Sequence, residues 1–172
     1  MSAVPQPVLL LTPDSYRRID REIAKFPAER RASAVMAALA IAQRQLGWLS
    51  KEAIEEVASY LQMPAIAVYE VASFYGMYNL EQTGRFKITL CTNLPCALSG
   101  ASRAAAHLKE KLGVGFGETT EDGCFSLKEG ECLGACGDAP VLLVNNERME
   151  SFMSNEKLDA LLAELGQAKQ DR

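Results

Sequence analysis

Two cysteine pairs constrain this chain more than any other feature. Cys91 and Cys96 enclose four residues, and Cys132 and Cys136 enclose three. A helical pattern separates the pairs, so two local loops must meet in space if they act together. Four thiolates on paired loops can hold a metal centre, and unequal, wide spacings favour an iron–sulfur cluster over a single ion. A structural zinc site more often uses C-x2-C knuckles. Two other readings stand beside these: buried inert thiols and a dithiol redox pair, although neither spacing is C-x-x-C. An iron–sulfur centre makes electron transfer the expected chemistry.

The composition limits the alternatives. With 172 residues, 48% of them hydrophobic, the chain can build a real core and is not expected to be disordered. The net charge of −4 disfavours a nucleic-acid partner. No apolar run reaches membrane-spanning length, and the apolar patch in MSAVPQPVLLLTPD has no basic flank ahead of it. A reducing, cytoplasmic setting is therefore expected for the cysteines, and their odd number suits a disulfide framework poorly.

The expected fold class is α+β: an N-terminal helical bundle over residues 1–80, then a thioredoxin-like α/β domain over residues 81–172. Thr12-Pro13-Asp14 starts a helix, with Tyr16, Ile19, Ile23 and Phe26 at helical spacing and Pro27 as its stop. Val35, Leu39, Ala42 and Leu46 mark a second helix, closed by Gly47. Ser50 caps a third, carrying Ile54, Val57, Ala58 and Leu61, and a fourth follows Pro64 from Ala65 to about Tyr75. Short connections between such helices favour an antiparallel bundle.

Beyond a polar linker at 79–84, the pattern alternates. Residues 86–90 read as a strand leading into Cys91, 97–112 as a helix closed by Gly113, and 125–131 as a strand leading to Cys132. Residues 141–144 read as a buried strand, Asn145-Asn146 as a hairpin turn into 148–152, and Ser154 as the start of a last helix. The order βαβ, ββ, α fits a thioredoxin-like sheet with flanking helices.

Both cysteine pairs thus follow strands, where loops converge on one edge of an α/β layer. Two ferric ions, two sulfides and four thiolates sum to about −2, and to about −3 after one-electron reduction. Cys96 is expected just before a helix, whose amides and dipole favour negative charge. Gly134 and Gly137 would let the second loop direct amides at sulfur, and Pro95 and Pro140 would stiffen the loops.

The segments CTNLPC and DGCFSLKEGECLGACGDAP resemble the small [2Fe-2S] subunits of respiratory complex I, in the thioredoxin-like ferredoxin family. GWLSKEAIEEVASYLQMP and VYEVASFYGMYNL are similar to the helical domain of that family, and the match runs from about Ile19 to Leu165. The resemblance implies that Cys91, Cys96, Cys132 and Cys136 bind one [2Fe-2S] cluster, with no catalytic residue on this chain. It implies an electron-transfer subunit of an NADH:quinone oxidoreductase. The larger NADH- and FMN-binding flavoprotein subunit of complex I would pass single electrons to this cluster, beside other complex I subunits. The location implied is cytoplasmic, peripheral to the inner membrane and without direct insertion. Related subunits serve as diaphorase parts of NAD-dependent formate dehydrogenases and NAD-reducing hydrogenases, and the motifs do not separate these settings. A zinc-stabilised binding module is the reading from another class. In thioredoxin-like folds a cis-proline often precedes the strand after the active-site region, which makes Ala139-Pro140 a candidate.

Several other residues have plainer expectations. Cys124 departs from the usual pattern of the family and reads as a strand-start thiol. His107, the only histidine, reads as a surface residue, and Trp48 as packing. Arg17-Arg18 and Arg30-Arg31 read as solvated helix faces. Phe74, Tyr75, Met77 and Tyr78 read as core or as a partner contact. No Gly-rich phosphate loop is visible, so NADH and FMN are expected on the partner subunit only.

Overall fold

The computed structural model describes residues 9–167. The chain divides into two compact units, Met1–Gln82 and Thr83–Arg172.

The first unit is helical. Helix α1 (Pro13–Ile23) begins where Thr12 accepts a hydrogen bond from the Ser15 amide at 3.3 Å. Helix α2 (Val35–Leu46) ends at Gly47, whose φ of +86° supplies the left-handed turn. Helix α3 (Lys51–Leu61) is capped by Ser50, which accepts from the Ala53 amide at 3.2 Å. Helix α4 (Ala65–Phe74) follows Pro64. A 3-10 segment, Ala28–Ala34, joins α1 to α2 and has no periodic signal in the sequence.

The apolar faces of these helices converge on a core that includes Ile19, Leu39, Val57, Leu61 and Val68. Polar groups tie its edge. Glu56 accepts from the Leu10 and Leu11 amides at 2.7 and 2.9 Å and from the Tyr16 hydroxyl at 2.6 Å. Burial, then the Glu56 carboxylate, pushes the Tyr16 phenol above its ordinary range. Arg31 is not merely solvated: its Nε donates to the Tyr60 carbonyl at 3.0 Å while its guanidinium lies over the Tyr60 ring. In the aromatic–methionine group, only Tyr78 is buried, with its hydroxyl donating to the Met36 carbonyl at 2.8 Å, and Phe74 is 79% exposed.

The second unit is a five-stranded mixed sheet with helices. Strands β1 (Phe86–Cys91), β2 (Glu118–Thr119), β3 (Phe125–Gly130), β4 (Leu142–Val144) and β5 (Arg148–Glu150) lie in the order β2-β3-β1-β4-β5. Only β1 and β3 run parallel; the other pairs are antiparallel. Cys91 is the last residue of β1 rather than the first beyond it. The single helix expected over 97–112 is two, α5 (Leu94–Leu98) and α6 (Ala101–Leu112), broken at Gly100 with φ +103°. Asn93 starts α5 early by accepting from the Leu94 amide at 2.9 Å, which places Cys96 inside a short helix rather than ahead of a long one. The two-residue strand β2 has too short a pattern to be read in advance.

Asn145 and Asn146 form the β4–β5 turn with φ of 52° and 58°. Asn145 locks this turn to β1: its side chain accepts from the Lys87 amide at 2.8 Å, and its own amide donates to the Lys87 carbonyl at 2.9 Å. Helix α7 (Asn155–Gln167) closes the unit. Ile88, Leu90 and Leu127 from the sheet, Leu108 from α6 and Leu158 from α7 share one core. His107 is half-buried and paired, with Nε2 2.8 Å from Asp159 Oδ1 on α7. Among the described residues, no helix is long and apolar enough to cross a membrane.

Leu39 is fully buried at the centre of the helical core. Leu39→Ala is expected to cost about 2–5 kcal/mol. Urea unfolding of the full chain by far-UV circular dichroism checks this, and an unchanged midpoint would contradict the packing described.

Candidate metal centre

Strands β1 and β3 carry the two cysteine loops to one place. They pair in parallel with Cys91 opposite Gly130, so both loops leave the same edge of the sheet. The Thr92 amide donates to the Gly130 carbonyl at 2.9 Å and continues the ladder past the strand end. The Cys91 amide donates to the Val141 carbonyl at 3.1 Å, which brings the segment ahead of β4 to the same edge.

The four thiols differ in environment. Cys91 and Cys96 are buried, packed with Ala101 and Val141 and flanked by Leu133, Ala135 and Ala139. Cys132 and Cys136 are exposed. The Cys91 Sγ lies 3.7 Å from the Glu131 carbonyl oxygen, in the loop that carries Cys132. Burial pushes the Cys96 thiol up, with neighbouring Cys91 and Cys136 adding to the effect and a hydrogen bond from the Val141 backbone opposing it. Cys91, Cys96 and Cys136 therefore share one electrostatic neighbourhood, and Cys132 is on the same loop as Cys136. Among the described residues, no three His, Cys, Asp or Glu side chains form a group for one metal ion. A two-iron centre asks for two thiolates on each iron, so pairs suffice.

The backbone around the second pair suits an anionic group. Gly134 turns the loop at φ +73°, a conformation costly for other residues. The amides of Leu133, Gly134 and Ala135 donate to no backbone carbonyl among the described residues. Three consecutive amides of this kind can receive negative charge from sulfur. Cys136 then opens a 3-10 turn, Cys136–Asp138, held by the Asp138 amide donating to the Ala135 carbonyl at 3.0 Å. The Phe152 and Met153 amides donate to the Asp138 and Pro140 carbonyls at 2.8 and 3.0 Å, fastening the loop to the segment ahead of α7. The Ala139-Pro140 bond is cis, as the resemblance had suggested. Cys124 lies apart from this edge: its carbonyl accepts from the Phe86 amide at 2.8 Å at the opposite end of β1. The donor set, the amide-rich loop and the shared edge all fit a [2Fe-2S] cluster.

Comparison with known proteins decides the family. The thioredoxin-like [2Fe-2S] ferredoxin family matches residues 19–166. This chain belongs to that family. Among curated relatives, an NADH-quinone oxidoreductase subunit of Rickettsia felis is 45% identical over 143 residues, covering 83% of this chain and 85% of the relative. Another NADH-quinone oxidoreductase subunit, that of Thermus thermophilus, is 40% identical over 156 residues, covering 91% of this chain and 86% of the relative. Among solved structures, an NAD+-reducing [NiFe]-hydrogenase in the air-oxidised state superposes with a TM-score of 0.65 at 23% identity. That alignment covers 76% of this chain and only 23% of the hydrogenase chain, and it speaks for the fold alone. The two curated relatives are oxidoreductase subunits, and a [2Fe-2S] centre is the cofactor of the family.

Sequence reasoning missed one contribution to this site. A Cβ on Gly130 would lie 2.9 Å from Thr89 Cγ2, so glycine opposite Cys91 is required by close approach to β1. Only its place in KEGEC hinted at this. Gly130→Ala is expected to destabilise the chain by about 1–3 kcal/mol through overpacking. Adding Thr89→Ser, which removes the offending methyl, should recover a large part of that loss. A double-mutant cycle by urea denaturation measures it, and equal losses with and without Thr89→Ser would show that the clash is not the cause.

Proposed function

We propose that this chain is the electron-transfer subunit of an NADH:quinone oxidoreductase, holding one [2Fe-2S] cluster on Cys91, Cys96, Cys132 and Cys136. The observation that carries the reading is the convergence of two cysteine loops on the shared edge of parallel strands β1 and β3. Identities of 40% and 45% with named subunits of this enzyme support that setting over a formate dehydrogenase or hydrogenase. When bound, the cluster supplies reversible one-electron transfer.

The chain's own residues define its part. Cys91 and Cys96 anchor the buried side, where Val141 and Ala101 exclude water. Cys132 and Cys136 hold the exposed side, where charge can be exchanged with a partner. The loop amides at Leu133, Gly134 and Ala135 offset negative charge on the sulfurs. NADH delivers two electrons as hydride, and a flavin is the usual device that divides them. That FMN, with the NADH site, belongs in this reading to a partner flavoprotein subunit. The complex works on the cytoplasmic face of the inner membrane, peripheral to it.

Two outcomes are expected. Replacing Cys91, Cys96, Cys132 or Cys136 singly with serine should reduce iron content or alter the EPR spectrum of the dithionite-reduced protein, while Cys124→Ser leaves both unchanged. Loss of the cluster in Cys124→Ser with full retention in Cys91→Ser overturns the ligand set. The isolated chain should not oxidise NADH, whereas NADH should reduce its cluster once the flavoprotein subunit is added, followed anaerobically by EPR. NADH oxidation by the chain alone would place a catalytic site here.

A further inference from the structure

Helices α1 and α2 of the first unit enclose a groove of about 310 Å³ lined by Arg18, Arg21, Glu22, Ala37, Ile41 and Arg44, with Ala40 completing its floor. Its chemistry stands out on a chain whose net charge is −4. Ala37, Ala40, Ile41 and Arg44 follow the i, i+3, i+4, i+7 pattern, so they share one face of α2. The small alanines keep the floor low and leave the guanidinium groups as the walls. Arg18 and Arg21 lie one turn apart on α1. Among the described residues, neither has a hydrogen-bond or ion-pair partner. The one acid in the groove is engaged: Glu22 lies 2.6 Å from Lys25. Arg17, by contrast, is paired with Asp14 at 3.0 Å and does not line the groove.

We propose that this groove is a docking site for an acidic, Asp- or Glu-rich segment of a partner polypeptide. Charge complementarity commits it to carboxylates, because guanidinium groups match them in two-point hydrogen bonds. The apolar floor of Ala37, Ala40 and Ile41 accommodates the backbone and methylene groups of an extended peptide, which a free phosphate would not use. The acidic character of the rest of the chain works against a nucleic acid or an anionic membrane as occupant, since either presents charge over an area wider than the groove. The inference goes beyond the electron-transfer reading and does not depend on the cluster.

The test uses the full, cluster-containing chain and a fluorescent oligoglutamate peptide followed by anisotropy. Saturable binding that weakens with added salt is expected. The double variant R18E/R21E should weaken it at least tenfold, and the control R17E should leave it within about twofold, in line with a local groove rather than a diffuse field. If R18E/R21E misfolds by circular dichroism, R18Q/R21Q replaces it with the same expectation. The proposal is overturned by no binding by the unaltered chain, no loss in the double variant, equal loss in R17E, or displacement by inorganic phosphate at equal total charge. Preferential binding to phosphatidylserine vesicles through the same arginines also overturns it. The EPR signal of the reduced cluster should be unchanged in every variant, so failure here is distinguishable from failure of the electron-transfer reading.

Discussion

The parallel pairing of β1 with β3 is the interaction on which the candidate site depends. Parallel strands point their carboxyl ends the same way, so loops that follow them emerge together. Register adds the rest: with Cys91 opposite Gly130, Cys132 begins its loop two residues beyond the ladder. A slip of one residue would turn Cys91 toward the Ile88–Leu90 core and move its thiol to the wrong face. The register is held by apolar residues on that core face and by the close fit of Gly130 against Thr89 on the other. Asn145 adds a lock at the far end of β1.

Charge is the second constraint. A [2Fe-2S] centre on four thiolates would carry net negative charge, which the surrounding backbone would have to offset. The second cysteine loop offers amides for this, at Leu133, Gly134 and Ala135, that have no carbonyl partner among the described residues. Gly134 permits the left-handed turn that presents them, and the hydrogen bonds from Phe152 and Met153 hold the loop in place. Burial of Cys91 and Cys96 against exposure of Cys132 and Cys136 gives the site an inner and an outer side. An electron-transfer centre needs both: a dry side for stability and an accessible side for exchange.

The helical unit follows simpler rules. Its boundaries come from caps and breakers, Thr12 with Pro13, Gly47, Ser50 and Pro64, and its core from residues at helical spacing. What it presents outward is less uniform. Phe74 stands exposed at the end of α4, and arginines line the α1–α2 groove.

Much of this was legible in the residues alone, where local chemistry decides. Capping hydroxyls, prolines, the Asn145-Asn146 turn and the spacing of the cysteines each act over a few residues, so their reading needs no fold. The family resemblance rested on the same local motifs. Where the outcome depended on distant partners, the tertiary structure decided. The break at Gly100, with φ +103°, splits a periodic run, and α6 then packs on the sheet through Ala104 and Leu108. His107 gained Asp159 from a helix 52 residues away, and Arg31 gained Tyr60 from α3, contacts that sequence separation conceals. The cysteine spacing by itself determined that four of the thiols come as two local pairs. Only strand pairing decided that they meet, which thiols are buried and which are exposed, because burial and register are set by contacts between segments far apart in the chain.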